Sequence, residues 1–410
     1  MAATEGTRTA RLATRVVLPF AAGYFLSYLY RTVNAVLAPA IAGSIALDGA
    51  DIGLMTGVYF MTFAAAQLPL GLLLDRFGPR RVEAILLGFA AFGAMTFSLA
   101  ESVPALVLGR ALVGFGVSAC LMAPLKANVL FFSPARLPLM NGVILGAGGL
   151  GAVAATHPVH LALTVTDWRG VYGGVALVTA GAAVLLWLVV PDRPTAAGGR
   201  LLAQIRDMGE IFRDRTFWRI APATMVSLGS FMAIQGLWAG PWLRDVAGLG
   251  TSEVSTGLTA MAAGMALGYL SAGALAGWLE RKGLPAITVG SVGMFLHLLC
   301  LVLMALGFHL APMTLSALYG LTGTASSVNY AVLTRRFPAR LSGRVNTSLN
   351  LLIFIAAFSL QWGLGWVIGQ WDSSNGHWPD QAWRVALMLP AAAGLVTLGW
   401  LLPACRKSAP

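Results

Sequence analysis

Apolar residues fall in twelve runs separated by short polar loops: 16–38, 52–74, 82–101, 104–127, 139–163, 170–190, 219–243, 252–279, 286–307, 312–333, 345–370 and 381–402. Each run is near the roughly 20 residues that a helix needs to cross about 30 Å of hydrocarbon. Backbone amides and carbonyls cannot go unpaired in lipid. Each run is therefore predicted to be a membrane helix, numbered span 1 to span 12 in chain order. A longer polar stretch, 191–218, lies between spans 6 and 7. Pro191, Pro194 and Gly198-Gly199 break the preceding helix. Leu201, Leu202, Ile205, Met208 and Ile211-Phe212 then recur at helical spacing among Arg206, Asp207, Glu210 and Arg213. That periodicity predicts a short amphipathic helix on the cytoplasmic membrane surface.

The polar loops repeat themselves at about half the chain length. Asp75-Arg76-Phe77-Gly78 is echoed by Glu280-Arg281-Lys282-Gly283, and Phe132-Ser133-Pro134-Ala135-Arg136-Leu137 by Phe337-Pro338-Ala339-Arg340-Leu341. Trp168-Arg169 opens one apolar run and Trp383-Arg384 another. Matched loops at this offset predict two halves of like topology: 1–190 and 219–410, each with six spans, joined by 191–218. In a membrane protein such repeats mark a transporter with its solute site between the halves.

Composition and charge agree with a lipid solvent and set an orientation. The chain of 410 residues is 57% hydrophobic and 10% charged, with a mean hydropathy of +0.76; a soluble domain carries about 25% charged residues. With both termini cytoplasmic, the cytoplasmic segments hold 21 of the 27 Lys and Arg, and the outer loops hold three, Arg169, Arg244 and Arg384. Such a bias specifies the orientation. The net charge of +11 is thus spread over short loops and does not point to nucleic acid. The polar, basic first fifteen residues and the long first run predict no cleaved signal peptide. Cys120, Cys300 and Cys405 have neither metal-binding nor redox spacing, and no disulfide is expected.

Gly71-Leu72-Leu73-Leu74-Asp75-Arg76-Phe77-Gly78-Pro79-Arg80-Arg81, between spans 2 and 3, resembles the loop signature of the major facilitator superfamily. Arg110, Gly114 and Gly116 in span 4 are similar to that family's second motif. The resemblance extends over the whole chain through the twelve spans, the six-plus-six split and the basic central loop. It implies an all-α membrane protein whose two six-helix bundles, related by a pseudo-twofold axis, surround a central cavity. It also implies alternating access in a bacterial inner membrane, with Gly71, Asp75, Arg76, Gly78 and Arg80 forming a conformational latch. Gly78 permits a tight turn, and Asp75 can pair with an arginine or a helix N-terminus. Span 5, Gly142 to Gly151, lacks the Gly-Pro pair of the family's drug exporters and the asparagine of its nitrate-porter signature. Neither role is expected.

Ionisable residues inside the membrane are candidates for function, because charge in hydrocarbon costs about 2.5–3.5 kcal/mol or more. Arg31, Arg110 and Lys126 fall within spans, whereas Asp51, Glu83, Glu101, Glu253 and Glu280 fall near span ends. This imbalance predicts an anionic solute. Tyr24, Ser27, Tyr28, Arg31 and Asn34 share one face of span 1. The family resemblance places spans 1, 4, 7 and 10 around the cavity. That adds Arg110, with Gln235 and Trp238 of span 7 and Ser326 and Tyr330 of span 10. Structural alternatives remain for most of these: Lys126 as a snorkelling residue, Trp242 as an interfacial one, and the span-10 stripe as helix–helix hydrogen bonding. His157 is the candidate proton carrier and His297 reads as structural, while uncoupled carriage needs neither.

The leading expectation is a secondary carrier of a small organic anion, monomeric, without a cofactor and not an enzyme, with proton coupling left open. A metal importer is the first alternative: Met261 and Met265 lie one turn apart in span 8, with Met225 and Met232 in span 7, and thioethers suit Cu(I). A non-transporting membrane receptor is the second. The charge bias makes one direct prediction. A reporter active only outside the cytoplasm, fused after Pro410, stays silent, and its activity would overturn the orientation.

Overall fold

A computed structural model describes residues 2–133, 136–192, 201–338, 341–374 and 377–406. Pro134-Ala135, Ala339-Arg340, Arg193 and Arg200 lie outside the described residues, as do the side chains of Arg8, Arg11, Leu201, Leu202, Ile205 and Cys405.

The helices follow the twelve spans, but several spans are built from pieces. Span 1 comprises α1 (Ala2–Thr32) and α2 (Asn34–Ser44). Spans 2 and 3 form α3 (Gly49–Ser98), which turns at Gly78 with φ 80° and ψ 158°. Only glycine reaches that region without strain, as the latch motif predicts. Gly283 repeats the turn with φ 84°. Span 4 comprises α4 (Val103–Gly116) and α5 (Met122–Phe131), span 5 comprises α6 (Leu137–Ala154) and α7 (His157–Ala162), and span 6 is α8 (Trp168–Val189). The linker helix is α9 (Leu201–Phe212). Its Met208 and Ile211 are buried while Arg206, Glu210 and Arg213 are exposed, as an amphipathic helix requires. Span 7 runs through α10 (Arg215–Ala233), a π-helical turn over Ile234–Trp238, and α11 (Ala239–Asp245). Spans 8 and 9 are α12 (Thr251–Glu280) and α13 (Ala286–Ala305). Span 10 comprises α14 (Pro312–Gly323), a 3-10 turn over Ala325–Ser327, and α15 (Val328–Arg336). Spans 11 and 12 are α16 (Ser342–Ile368) and α17 (Asp380–Arg406). Among the described residues, seven helices are long and apolar enough to cross a membrane unaided.

Prolines account for two of the breaks. Pro124 has no N–H to bond the carbonyl of Cys120, and the span-4 helix opens over 117–121. Pro241 likewise leaves the carbonyl of Leu237 without its usual donor, next to the π-helical turn of span 7. Spans 1, 4, 7 and 10 are all interrupted; span 5 is interrupted as well, ahead of Pro158.

Two compact units are present. The first is Met1–Val33 with Ala65–Leu201; the second is Asn34–Ala64 with Leu202–Pro410. In the first, span 1 packs on spans 5 and 6; in the second, span 7 packs on spans 11 and 12. The repeat seen in the loops therefore extends to helix pairing.

Within the second unit, Gly49, Gly53 and Gly57 form a stripe at four-residue spacing on α3, packed against α16. A Cβ on Gly53 would stand 2.8 Å from the Gln361 carbonyl oxygen, and one on Gly365 would stand 2.2 Å from that of Gly49. Phe63 stacks on Phe354 at 4.2 Å where the stripe ends. Such spacing lets helix backbones touch. Gly53→Leu is expected to lower stability by about 1–3 kcal/mol through overpacking, whereas Gly43→Leu, with open space around it, is expected to be neutral. Equal melting temperatures for the two variants would show that the backbones do not approach this closely.

Candidate functional site

The polar face of span 1 is buried. In the first unit Tyr24, Ser27, Tyr28 and Arg31 are all less than a tenth exposed. Tyr24 and Tyr28 meet edge to face at 5.1 Å, and the Arg31 guanidinium carbon stands 4.5 Å from the Tyr28 ring centre. Both tyrosines lie over Gly148 of span 5, where a Cβ would be 2.5 Å from the Tyr24 ring. The glycine-rich run in span 5 therefore makes room for the aromatic face of span 1. Asn34, beyond the break at Val33, belongs to the second unit and donates its Nδ2 to Thr56 Oγ1 at 3.0 Å.

Arg110 and Lys126 each tie helices together. Arg110 is fully buried. Its Nη1 donates to the Tyr30 carbonyl at 2.8 Å and to the Tyr172 hydroxyl at 3.3 Å, joining spans 1, 4 and 6 beside the break in span 1. Lys126 pairs with Asp75, the carboxylate of the latch signature. The second unit repeats this pair between the same two places: Arg335 of span 10 holds Glu280, at the end of span 8, at 2.7 Å. Around Asp75, Arg80 Nε donates to the Trp187 carbonyl at 2.9 Å, Arg81 pairs with Asp192, and Arg76 lies against the Phe77 ring.

Glu83, near the start of span 3, has a fully buried side chain. Spans 1 and 4 extend past it and enclose it. A Cβ on Gly23 would lie 2.2 Å from Glu83 Oε1, and the Cys120 thiol faces the same carboxyl. The apolar run marks where hydrocarbon begins; depth of burial is set by neighbouring helices, which the local sequence does not reveal.

In the second unit the polar residues of spans 7 and 10 bond mainly to adjacent helices. Gln235 Nε2 donates to Met265 Sδ at 3.3 Å, and Trp238 Nε1 donates to the Gln361 carbonyl at 3.0 Å. Trp238 is fully buried against Trp378 and Trp383. Trp242 is buried as well, donating to the Met304 carbonyl at 3.1 Å; it is not an interfacial belt residue. Tyr330 donates to Asn350 Oδ1 at 2.7 Å, and Thr334 to Asn346 at 2.8 Å. Ser326 sits fully buried in the 3-10 turn, its hydroxyl without a hydrogen-bond partner. Asp245, missed by the sequence reading, is a joint: it binds Arg244, His377, the Trp378 amide and the Trp383 indole.

The remaining candidates are less converged. His157 is exposed at the start of α7, 6.2 Å from the His160 ring. His297 is buried beside Tyr319 and within 3.3 Å of Ser230 Oγ. Met261 and Met265 are both buried, Met232 nearly so, and Met225 is partly exposed. Among the described residues, no three His, Cys, Asp or Glu side chains gather as a metal site.

The twelve spans, the repeated latch and the paired helix packing define a membrane protein of the major facilitator type. The sequence profile of the Major Facilitator Superfamily matches residues 20–360, and the chain belongs to that family. It is similar to the uncharacterized transporter YybO of Bacillus subtilis (30% identity over 40% of this chain and 37% of that one). It is also similar to the nitrate/nitrite transporter NrtP of Nostoc punctiforme (29%, over 42% and 35%) and to a probable L-galactonate transporter of Escherichia coli (24%, over 72% and 68%). The matched regions thus span little more than a third of the first two relatives. The crystal structure of a bacterial homologue of the human lysosomal transporter Spinster superposes with a TM-score of 0.75 at 18% identity, over 97% of this chain and 98% of that one. That match establishes the shared fold.

The latch pair is half-exposed on its Asp75 side, so its contribution to stability is expected to stay below about 1 kcal/mol. Asp75→Asn should therefore leave expression and melting temperature near wild type while slowing solute exchange. An unchanged rate per folded molecule would remove the latch role.

Proposed function

We propose that this protein is a secondary carrier that moves a small organic anion across a bacterial cytoplasmic membrane by alternating access. In this reading its two halves, 1–190 and 219–410, rock about the linker, and it works as a monomer with both termini cytoplasmic. The observation that carries the proposal is the Arg31 guanidinium buried on the polar face of span 1 among Tyr24, Ser27 and Tyr28. A planar cation held against an aromatic ring, with a hydroxyl on the same helix face, suits a carboxylate, which takes two parallel N–H donors. Arg110 is a joint between helices, and Lys126 belongs to the latch.

The names of the relatives point the same way: nitrate and L-galactonate are both anions. Span 5 lacks the asparagine of the nitrate-porter signature, so an organic carboxylate is favoured over nitrate. The thioether reading has less support, because the Met265 sulfur already accepts a hydrogen bond from Gln235.

The test uses purified protein and a thermal-shift comparison of L-galactonate with nitrate, since a ligand of the native state raises apparent stability. L-galactonate is expected to stabilise wild type more strongly. Arg31→Lys should bind more weakly, and Arg31→Gln should lose about 1.5–3 kcal/mol of anion binding, the typical worth of a hydrogen bond to a charged group. Undiminished binding by Arg31→Gln would refute the assignment.

A further inference from the structure

Where spans 8, 9 and 10 meet the basic loops, the second unit holds an open groove of about 440 Å³. That volume lies within the roughly 300–1,000 Å³ of sites that take small molecules. Its walls are the turn at Gly283, the first residues of α13 and the end of α15. The apolar runs of the three spans reach this level at 279, 286 and 333. The groove therefore stands where hydrocarbon gives way to water. Deeper in the bundle, Ala272, Ala276, Val289 and Val328 pack together and close it off.

The lining is part apolar and part basic. Leu284, Ile287 and Val332 supply the apolar surface, and Arg335 and Arg336 the charge. The one acid of the lining, Glu280, is held by Arg335 through Nη1 at 2.7 Å. A guanidinium carries five N–H donors, and the Arg335 side chain is 65% exposed, so it can hold a second anion without releasing the first. Arg281 and Lys282, next in the chain, are exposed as well.

The first half closes the same place with protein. There Arg80 binds the Trp187 carbonyl and Arg81 binds Asp192, which draws the end of span 6 over the loop. At the matching positions, 205 residues on, stand Pro285 and Ala286. Neither side chain can make such a tie, and the groove is left open.

The surroundings select a lipid over a soluble anion. Leu275, Trp278 and Leu284 each leave nearly half of their surface exposed. The Lys282 ammonium lies 3.8 Å from the Trp278 ring centre. Tryptophan and lysine at a span end favour the headgroup level of a bilayer.

We propose that this groove binds the headgroup of an anionic phospholipid. Arg335 and Arg336 take the phosphate oxygens, as guanidinium forks do, and the acyl chains lie along Leu275, Trp278 and Leu284. Basic grooves between helix ends at a membrane surface attract such lipids. The assignment is independent of the solute that the protein carries.

Native mass spectrometry of the delipidated full-length protein tests this with phosphatidylglycerol, phosphatidylcholine and glycerol 3-phosphate as probes. Wild type is expected to hold its first phosphatidylglycerol more tightly than phosphatidylcholine, and glycerol 3-phosphate is expected not to displace it. Arg336→Gln should weaken that first phosphatidylglycerol about fivefold, the worth of one base near an anionic surface. Leu284→Asp, which keeps every base but puts a carboxylate in the groove, should weaken it as well. Arg384→Gln, in the loop before span 12, should not change it. Equal binding of the two lipids overturns the proposal. Binding that survives Leu284→Asp unchanged also overturns it, because the bases would then attract lipid without the groove. An equal loss in Arg384→Gln and Arg336→Gln would show diffuse attraction and overturn it too. Displacement by glycerol 3-phosphate would give the groove to a soluble phosphate ester and refute the lipid. Should Arg336→Gln fail to fold, Leu284→Asp at its exposed position decides the matter alone. None of these results bears on Arg31, whose test is separate.

Discussion

Inside hydrocarbon every backbone amide and carbonyl needs a partner, and the helix is the form that supplies one locally. The architecture follows from that constraint and from the places where it is relaxed. Pro124 and Pro241 each delete a donor from the ladder, and the chain answers with an open turn in span 4 and a π-helical turn in span 7. Span 1 breaks at Val33, beside the Tyr30 carbonyl that the buried Arg110 binds. Interrupted helices are tolerated in a membrane only where protein or water covers the exposed backbone. Four of the five interrupted spans are those that the family fold gathers around its cavity. The interruptions also aim side chains: Gln235 and Trp238 leave from the π-turn, and Cys120 leaves from the turn that faces Glu83.

Charge obeys the same constraint. Asp75 with Lys126 and Glu280 with Arg335 link spans 2 and 4 in one unit and spans 8 and 10 in the other. A partly exposed ion pair adds little to stability, yet its geometry is specific and it can be broken at small cost. Those properties suit the latch role expected of the loop signature. The glycine stripe on α3 is the opposite kind of contact. Backbones meeting at Gly49, Gly53 and Gly365 form a tight apolar seam that relies on shape alone.

Much of this was legible in the sequence because it depends on composition over long windows. Twelve apolar runs give twelve spans, and the repeated loops give the repeated helix pairing. The loop signature led to Asp75 and Gly78, and the turn at Gly78 has the left-handed backbone expected of it. Features set by neighbouring helices were not legible. Lys126 looked like a snorkelling residue because its partner stands 51 positions earlier. Trp242 looked interfacial because nothing local shows that the Met304 carbonyl receives its indole. The Gly49, Gly53 and Gly57 spacing was visible but carries no sign of which helix it meets. The burial of Glu83 was hidden for the same reason: spans 1 and 4, distant in sequence, enclose it.

The internal repeat separates scaffold from function. Elements that hold the helices in place should occur twice, because both halves face the same packing problem. Turn glycines, latch pairs and the Trp-Arg openings of spans 6 and 12 do occur twice. Residues that handle solute have no reason to repeat, since a single cavity needs each group once. Arg31 meets that criterion, with Gly236 at the matching position, and so does the joint Arg110, with Leu315; what sets Arg31 apart is its place on the polar face of span 1 among Tyr24, Ser27 and Tyr28. The asymmetry of the repeat, together with the aromatic and hydroxyl groups around the guanidinium, thus supports the solute role proposed for Arg31.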